Sequence, residues 1–215
     1  MEKYLNRTEA GRVLALELKK YADRKDVIVL ALPRGGVPVA YEIAALLHLP
    51  LDIFIVRKLG VPGHEEFAMG AIASGDVCVL NDETISDLSL TPDAIHAVME
   101  KEKRELMRRE TVYRGGRPFP VLKDKTIILV DDGIATGASM RAAIKALYAF
   151  DPASLIIAVP VAEKMMCESM QLLVDKFICP LRPVNFYAVG AWYEDFSQTE
   201  DEEVFTLLQK TRKKP

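Results

Sequence analysis

Three runs in this chain, DVIVLALP (26–33), TIILV (126–130) and LIIAVPV (155–161), are apolar at consecutive positions rather than alternate ones. Successive side chains of a strand point to opposite faces, so such a run must be covered on both sides. Covering both sides of a sheet takes helices on both faces, and each run is followed by a segment of helical length: 37–47, 140–150 and 163–174. LDIFIV (51–56) and KFICP (176–180) read as two further strands. The pattern predicts an α/β protein with a doubly wound, mostly parallel five-stranded sheet whose core spans about residues 26–180. At 215 residues, half of them hydrophobic, the chain suits one embellished domain over 1–215 better than two.

The embellishments read as follows. Asn6 with Glu9 three residues on marks a helix start, and Pro38 is tolerated in the first turn of the 37–47 helix. Residues 68–82 read as two short strands around Ser74-Gly75-Asp76, a hairpin appended to the sheet. A charged helix runs from Thr91-Pro92 to about Tyr113 and stops at Gly115-Gly116. Residues 61–67, VPGHEEF, show no period and predict a mobile loop. The two terminal segments are left to form a small hood, the second carrying the only Trp and a final helix.

Charge and composition exclude several classes. A formal net charge of −3 and a pI of about 5.7 argue against nucleic-acid coating. The basic residues of 101–117 are interleaved with acids, as on a solvated helix face. No apolar stretch reaches membrane-spanning length, and the charged N-terminus predicts no signal peptide. Cys78, Cys167 and Cys179 share no close spacing, so they predict reduced thiols and a cytoplasmic location. With His48 and His96 they read as structural, without metal-ligand spacing.

Three strand ends are unusual: PRGG (33–36), RKLG (57–60) and DDGIATGAS (131–139). In doubly wound sheets ligands sit at the carboxyl ends of the strands, where strand order reverses, so this rim is the expected site. Residues 134–139 turn from strand to helix and place N–H groups at a helix N-terminus, with Gly137 allowing close approach and Thr136 and Ser139 adding hydroxyls. That arrangement fits a single phosphate, since neither GxxxxGK[ST] nor GxGxxG occurs. Adjacent Asp131 and Asp132 repel each other and need hydroxyl donors or a cation, such as a ribose diol or Mg²⁺ held through water. A phosphate beside a diol describes a 5-phosphoribose. The bland alternative is that the acids cap a helix and the glycines merely turn.

VDDGIATGAS resembles the phosphoribosyl-pyrophosphate (PRPP) loop of type I phosphoribosyltransferases. PRGG is similar to the pyrophosphate loop of that family, and RKLGVPG resembles the start of its flexible loop, so the resemblance covers about residues 26–160. Phosphoribosyltransferase-like proteins ending in a WYEDFSQ-type segment look most similar, with adenine phosphoribosyltransferases next. The resemblance implies a type I phosphoribosyltransferase fold. It implies Mg²⁺-dependent transfer of 5-phosphoribosyl from PRPP to a nitrogenous base, with a nucleobase as partner and pyrophosphate released. Asp131, Asp132, Gly133, Ile134, Ala135, Thr136, Gly137, Ala138 and Ser139 would then bind phosphate and ribose, with Mg²⁺ near the two acids. Arg34, Gly35 and Gly36 would bind pyrophosphate, Arg57 and Lys58 would take its developing charge, and 61–67, with His64, Glu65 and Glu66, would close as a lid. A cis peptide not preceding proline is implied within 32–36, and a homodimer is compatible with the family.

FAMGAIASGD (67–76) has no acid before Asp76, unlike the corresponding adenine phosphoribosyltransferase segment, so adenine is not implied as the acceptor. Trp192, Tyr193 and Phe196 are candidates for stacking on a base, or else core fillers. The rival function is a non-catalytic, PRPP-sensing regulator with this fold. A PRPP-making synthase lacks support, because nothing resembles an ATP site.

Overall fold

The computed structural model describes residues 3–212, the side chains of Glu66 and Arg212 excepted. In chain order its elements begin α1 (Arg7–Glu17), β1 (Val27–Ala31), α2 (Gly36–Leu47), β2 (Leu51–Ile53), β3 (Val56–Val61), β4 (His64–Ala73) and β5 (Val77–Leu80). They continue α3 (Asp82–Asp87), α4 (Pro92–Arg114), β6 (Thr126–Val130), α5 (Ala138–Tyr148), β7 (Ser154–Ala158), α6 (Lys164–Gln171), β8 (Lys176–Ile178) and α7 (Asp201–Arg212).

The expected doubly wound sheet is present: five parallel strands in the order β2-β1-β6-β7-β8. Every residue of β1 and β6 is buried, and the two faces feed different cores. Val27, Val29 and Ala31 pack with α1, α2, α4 and α7, whereas Ile28 and Leu30 pack with α5 and α6. Burying each such aliphatic side chain stabilises the fold by about 1.5–3 kcal/mol, which is why the runs show no polar alternation. β2 lies on one side of β1 and β6 to β8 lie on the other, so strand order reverses between β1 and β6. The PRGG and DDG sequences leave those two strands.

LDIFIV does not remain in one sheet. β2 ends at Ile53, Phe54 N still donates to Ala31 O (2.9 Å), and Ser74 then holds the chain by accepting from Ile55 N and donating to Ile55 O. From Val56 a second, antiparallel sheet begins, in the order β3-β4-β5. Two expectations are corrected here. The appended hairpin is a three-stranded sheet, and residues 57–60 lie in its first strand rather than in a rim loop. Residues 61–67 are no unpaired loop either: Val61 pairs with His64 across Pro62-Gly63, and β4 is under way by His64. Leu59, Val61 and Met69 are fully buried, and that apolar face holds the hairpin down. The register slips at Gly60, whose backbone passes so close to Glu65 that a β-carbon would stand 2.9 Å from its carbonyl oxygen. The turn around Ser74-Gly75-Asp76 is where it was expected, with Gly75 at φ +77° and Asp76 at +60°.

α4 caps as read, with Thr91 Oγ1 accepting from Ala94 N and Gly115 left-handed at φ 63°. Its last residue, Arg114, is buried; it donates from Nε to Asp52 (3.0 Å) and from Nη2 to Ile53 O (2.8 Å), fixing the end of β2. Residues 4–5 run beside residues 192–195. Tyr4 N donates to Trp192 O (2.9 Å), Glu194 N to Tyr4 O (2.8 Å) and Asp195 N to Leu5 O (2.9 Å). Tyr4, Tyr193 and Phe196 form an aromatic group with Val161 just beyond β7. Among the described residues no helix is long and apolar enough to cross a membrane, and Cys78, Cys167 and Cys179 carry free thiols.

Candidate functional site

The loop between β6 and α5 shapes a cavity of about 140 Å³ lined by Asp131 and by residues 133–140. Ile134 anchors it: the side chain is buried and its N–H donates to Val161 O at 3.0 Å. Gly137 sits at φ +77°, the left-handed region, immediately before α5. No side chain caps α5 properly, since Thr136 Oγ1 lies a long 3.5 Å from Ala138 N. First-turn N–H groups and the positive end of the helix are therefore available to an anion. Behind the loop stands α6: a β-carbon on Gly137 would meet Met170 Cε at 2.5 Å and Met166 Sδ at 2.9 Å.

Asp131 and Asp132 stand at the mouth of this cradle. Asp132 N donates to Asp131 Oδ1 at 2.8 Å, and Tyr193 Oη donates to Asp132 O at 2.6 Å. Burial, with Asp132 alongside, pushes the Asp131 carboxyl well above the usual range. Burial also raises Asp132, opposed by the Arg7 guanidinium, whose Nε donates to Oδ2 at 2.8 Å. Asp131 Oδ2 and Asp132 Oδ1 have no hydrogen-bond partner among the described residues. Each acid thus keeps one carboxylate oxygen without a partner. No cluster of three metal-ligating side chains occurs among the described residues. Two adjacent carboxylates beside an open helix N-terminus would suit a hard cation such as Mg²⁺ shared with ligand oxygens and water rather than held in an all-protein cage.

The first loop completes this wall. Gly35 faces Asp132 so closely that a β-carbon would overlap Oδ2, and Gly36 would place one 2.7 Å from Val130 O. The Pro33–Arg34 peptide is cis, within the stretch where the resemblance implied one. Arg34 reaches outward, 3.7 Å from Glu200 and 3.6 Å from Asp201.

The remaining expected residues are arranged differently. Arg57 Nε donates to Glu102 at 2.8 Å, and Arg57 and Lys58 line a separate cavity of about 340 Å³ with Gly60, Glu65 and Lys101. No described residue lines both cavities. Tyr193 is buried between Tyr4 and Phe196, and Phe196 lies beneath Arg7, so these two rings fill the hood rather than stand open. Trp192 is partly buried, its indole N–H without a partner among the described residues. A cavity of about 590 Å³ beside Tyr41, His48 and Lys210 shares no described residue with the 131–140 loop. Sequence reasoning missed Arg7. Its signal was a cation in the first turn after the Asn6 cap, where the helix dipole disfavours it and a partner is needed.

The phosphoribosyl transferase domain family matches residues 2–179. A Mycobacterium tuberculosis protein provisionally named a phosphoribosyl transferase is 41% identical over 213 residues, which are 99% of this chain and 48% of that protein. The chain thus spans about half the length of the curated relatives it matches. The crystal structure of TT1426 from Thermus thermophilus superposes with a TM-score of 0.85 at 36% identity, covering 97% of this chain and 98% of that one.

Proposed function

Since this chain belongs to the phosphoribosyl transferase domain family, we propose that it moves 5-phosphoribosyl from PRPP to a nitrogenous base and releases pyrophosphate. The observation that carries the proposal is the meeting of PRGG and DDG at the strand-order reversal, with Gly35 packed on Asp132. Residues 133–139 take the 5-phosphate at the open end of α5. The free oxygens of Asp131 and Asp132 accept the two ribose hydroxyls, and the amide of Gly35, with Arg34, takes pyrophosphate, while the Gly36 amide stays on the Leu32 carbonyl and shapes the turn. Binding the two anionic ends apart fixes the anomeric carbon between them, which supplies most of the orientation the transfer needs. Mg²⁺, held through substrate and water beside Asp131 and Asp132, would neutralise charge building on the leaving group.

Arg57 and Lys58 reach that charge when the β3–β4 hairpin bends toward the rim and Arg57 leaves Glu102. The hairpin then also screens an oxocarbenium-like centre from water. The acceptor lies under the hood near Trp192, while Tyr193 and Phe196 shape that wall from behind. A cytoplasmic location is part of the reading, supported by three free thiols.

The test is pyrophosphate release from PRPP and Mg²⁺ with a panel of nucleobases. Release with one of them is expected. A second reading, a PRPP sensor without turnover, is favoured by one observation: Arg57 is engaged by Glu102 in a cavity separate from the cradle. PRPP binding with no release across the whole panel would select the sensor.

A further inference from the structure

Arg7 makes three different contacts with one guanidinium. Nε donates to Asp132 Oδ2 at 2.8 Å, Nη1 donates to Ser197 O at 2.7 Å, and Cζ stands 4.0 Å over the Phe196 ring. The side chain is 12% exposed, so the pair is largely withdrawn from water and weakly screened. The planar, forked group suits this combination; an ammonium could neutralise the carboxylate but could not also stack and reach the Ser197 carbonyl. Arg7 belongs to the first turn of α1, Ser197 and Phe196 follow the segment that pairs with Tyr4 and Leu5, and Asp132 belongs to the rim. One residue therefore joins the hood to the carboxylate pair by side-chain contact.

We infer that Arg7 is a positioning residue for the phosphoribosyl group: it fixes the Asp132 carboxylate and couples the hood to the ribose end of the site. This rests on the assignment of Asp131 and Asp132 to the ribose hydroxyls. By taking Oδ2, Arg7 leaves Asp132 Oδ1 without a partner, while the Asp132 amide takes Asp131 Oδ1 and leaves Asp131 Oδ2. One acceptor then remains on each of two adjacent residues, which matches the two adjacent hydroxyls of a ribose. Without the guanidinium the Asp132 carboxylate loses its hydrogen-bonded cation, its charge faces Asp131 uncompensated, and the hood loses its tie to that carboxylate, keeping the Tyr193 hydroxyl on the Asp132 carbonyl. Arg7 touches no reacting atom; it acts through Asp132.

The test uses PRPP with Mg²⁺ in calorimetry, and amide hydrogen exchange at Tyr4, Glu194 and Asp195, whose N–H groups close the hood. Arg7→Gln should weaken PRPP binding by about tenfold or more, and Arg7→Lys, which keeps the charge, by about threefold or less. Both variants should speed exchange at the three amides without ligand, and PRPP should slow that exchange in the wild type. A Gln variant that binds like wild type overturns the inference. So does a Lys variant as weak as Gln, because loss of hood packing rather than of the cation would then be responsible. Should the Gln variant fail to fold, the Lys variant and the wild-type response to PRPP still decide. If the wild type binds no PRPP, the proposed function falls. The coupling is then judged on ligand-free exchange alone: faster exchange in Arg7→Lys upholds the tie between hood and rim, and unchanged exchange removes it.

Discussion

Gly35 lies directly against the Asp132 carboxylate, with no room between them for a single methyl group. Its φ of −59° is ordinary for any residue, so the backbone does not demand glycine there; only the contact does. Gly35→Ala should therefore act by pushing the first loop off the acid pair. Overpacking of this kind costs about 1–3 kcal/mol, and PRPP affinity should fall together with the melting temperature. Calorimetry on a folded Gly35→Ala protein that binds PRPP normally would show that the two loops do not form one site.

Gly137 differs, because both backbone and space constrain it. At φ +77° a side chain is strained by about 1 kcal/mol or more, but the atoms it would meet are the flexible ends of Met166 and Met170. Gly137→Ala should then fold with a modest loss of stability and keep measurable phosphate-end binding. Gly137→Val should lose it. Equal binding by the two variants, measured with PRPP, would mean the cradle is not where the phosphate goes.

Burial beside Asp132 raises the Asp131 carboxyl, so the folded protein keeps a proton at pH values where the unfolded chain has released one. Its contribution to stability is greatest below the ordinary carboxylate value of about 3.9. It declines as pH rises from there through the raised folded value, because stability falls with pH wherever the native state binds more protons. Asp131→Asn removes this decline. Without ligand, the variant should melt above the wild type near about pH 7 and the gap should close toward about pH 4. Melting curves that stay parallel across that range would rule the effect out.

Glu102 of α4 holds Arg57 of β3 by a hydrogen bond of 2.8 Å. If Arg57 leaves it to meet pyrophosphate, Arg57→Ala should lower transfer by about a hundredfold while PRPP binding stays nearly intact. Glu102→Gln weakens the competing partner and should leave transfer unchanged or faster. Slower transfer in Glu102→Gln, followed by pyrophosphate release, would mean that Arg57 works from where it now sits.

Much of this could be read from the residues in order. Consecutive apolar positions announced a sheet covered on both faces, and β1 and β6 divide their side chains between two cores as that pattern requires. The DDGIATGAS loop was legible because a short segment supplies both carboxylates and most of the cradle. LDIFIV misled, because a short, mostly apolar run cannot show that Ser74 will draw the chain into another sheet at Ile55. VPGHEEF looked unstructured since its apolar partners, Leu59 and Met69, lie outside it. Arg7 was invisible for a related reason: its meaning lies in Asp132 and Ser197, which only folding brings near.

Arg7 and Ser197 are 190 positions apart, yet they share a hydrogen bond beside Asp132. On a ribosome, chain emerges from its N-terminal end, and β1 can pair with β6 long before Ser197 has been made. Until then Arg7 has no Ser197 carbonyl to bind and no Phe196 ring to rest on, and the Tyr193 hydroxyl has not yet reached the acid pair. The nascent protein can thus own its sheet while lacking the finished candidate site, which is completed only when the segment around Ser197 folds back onto the one around Arg7.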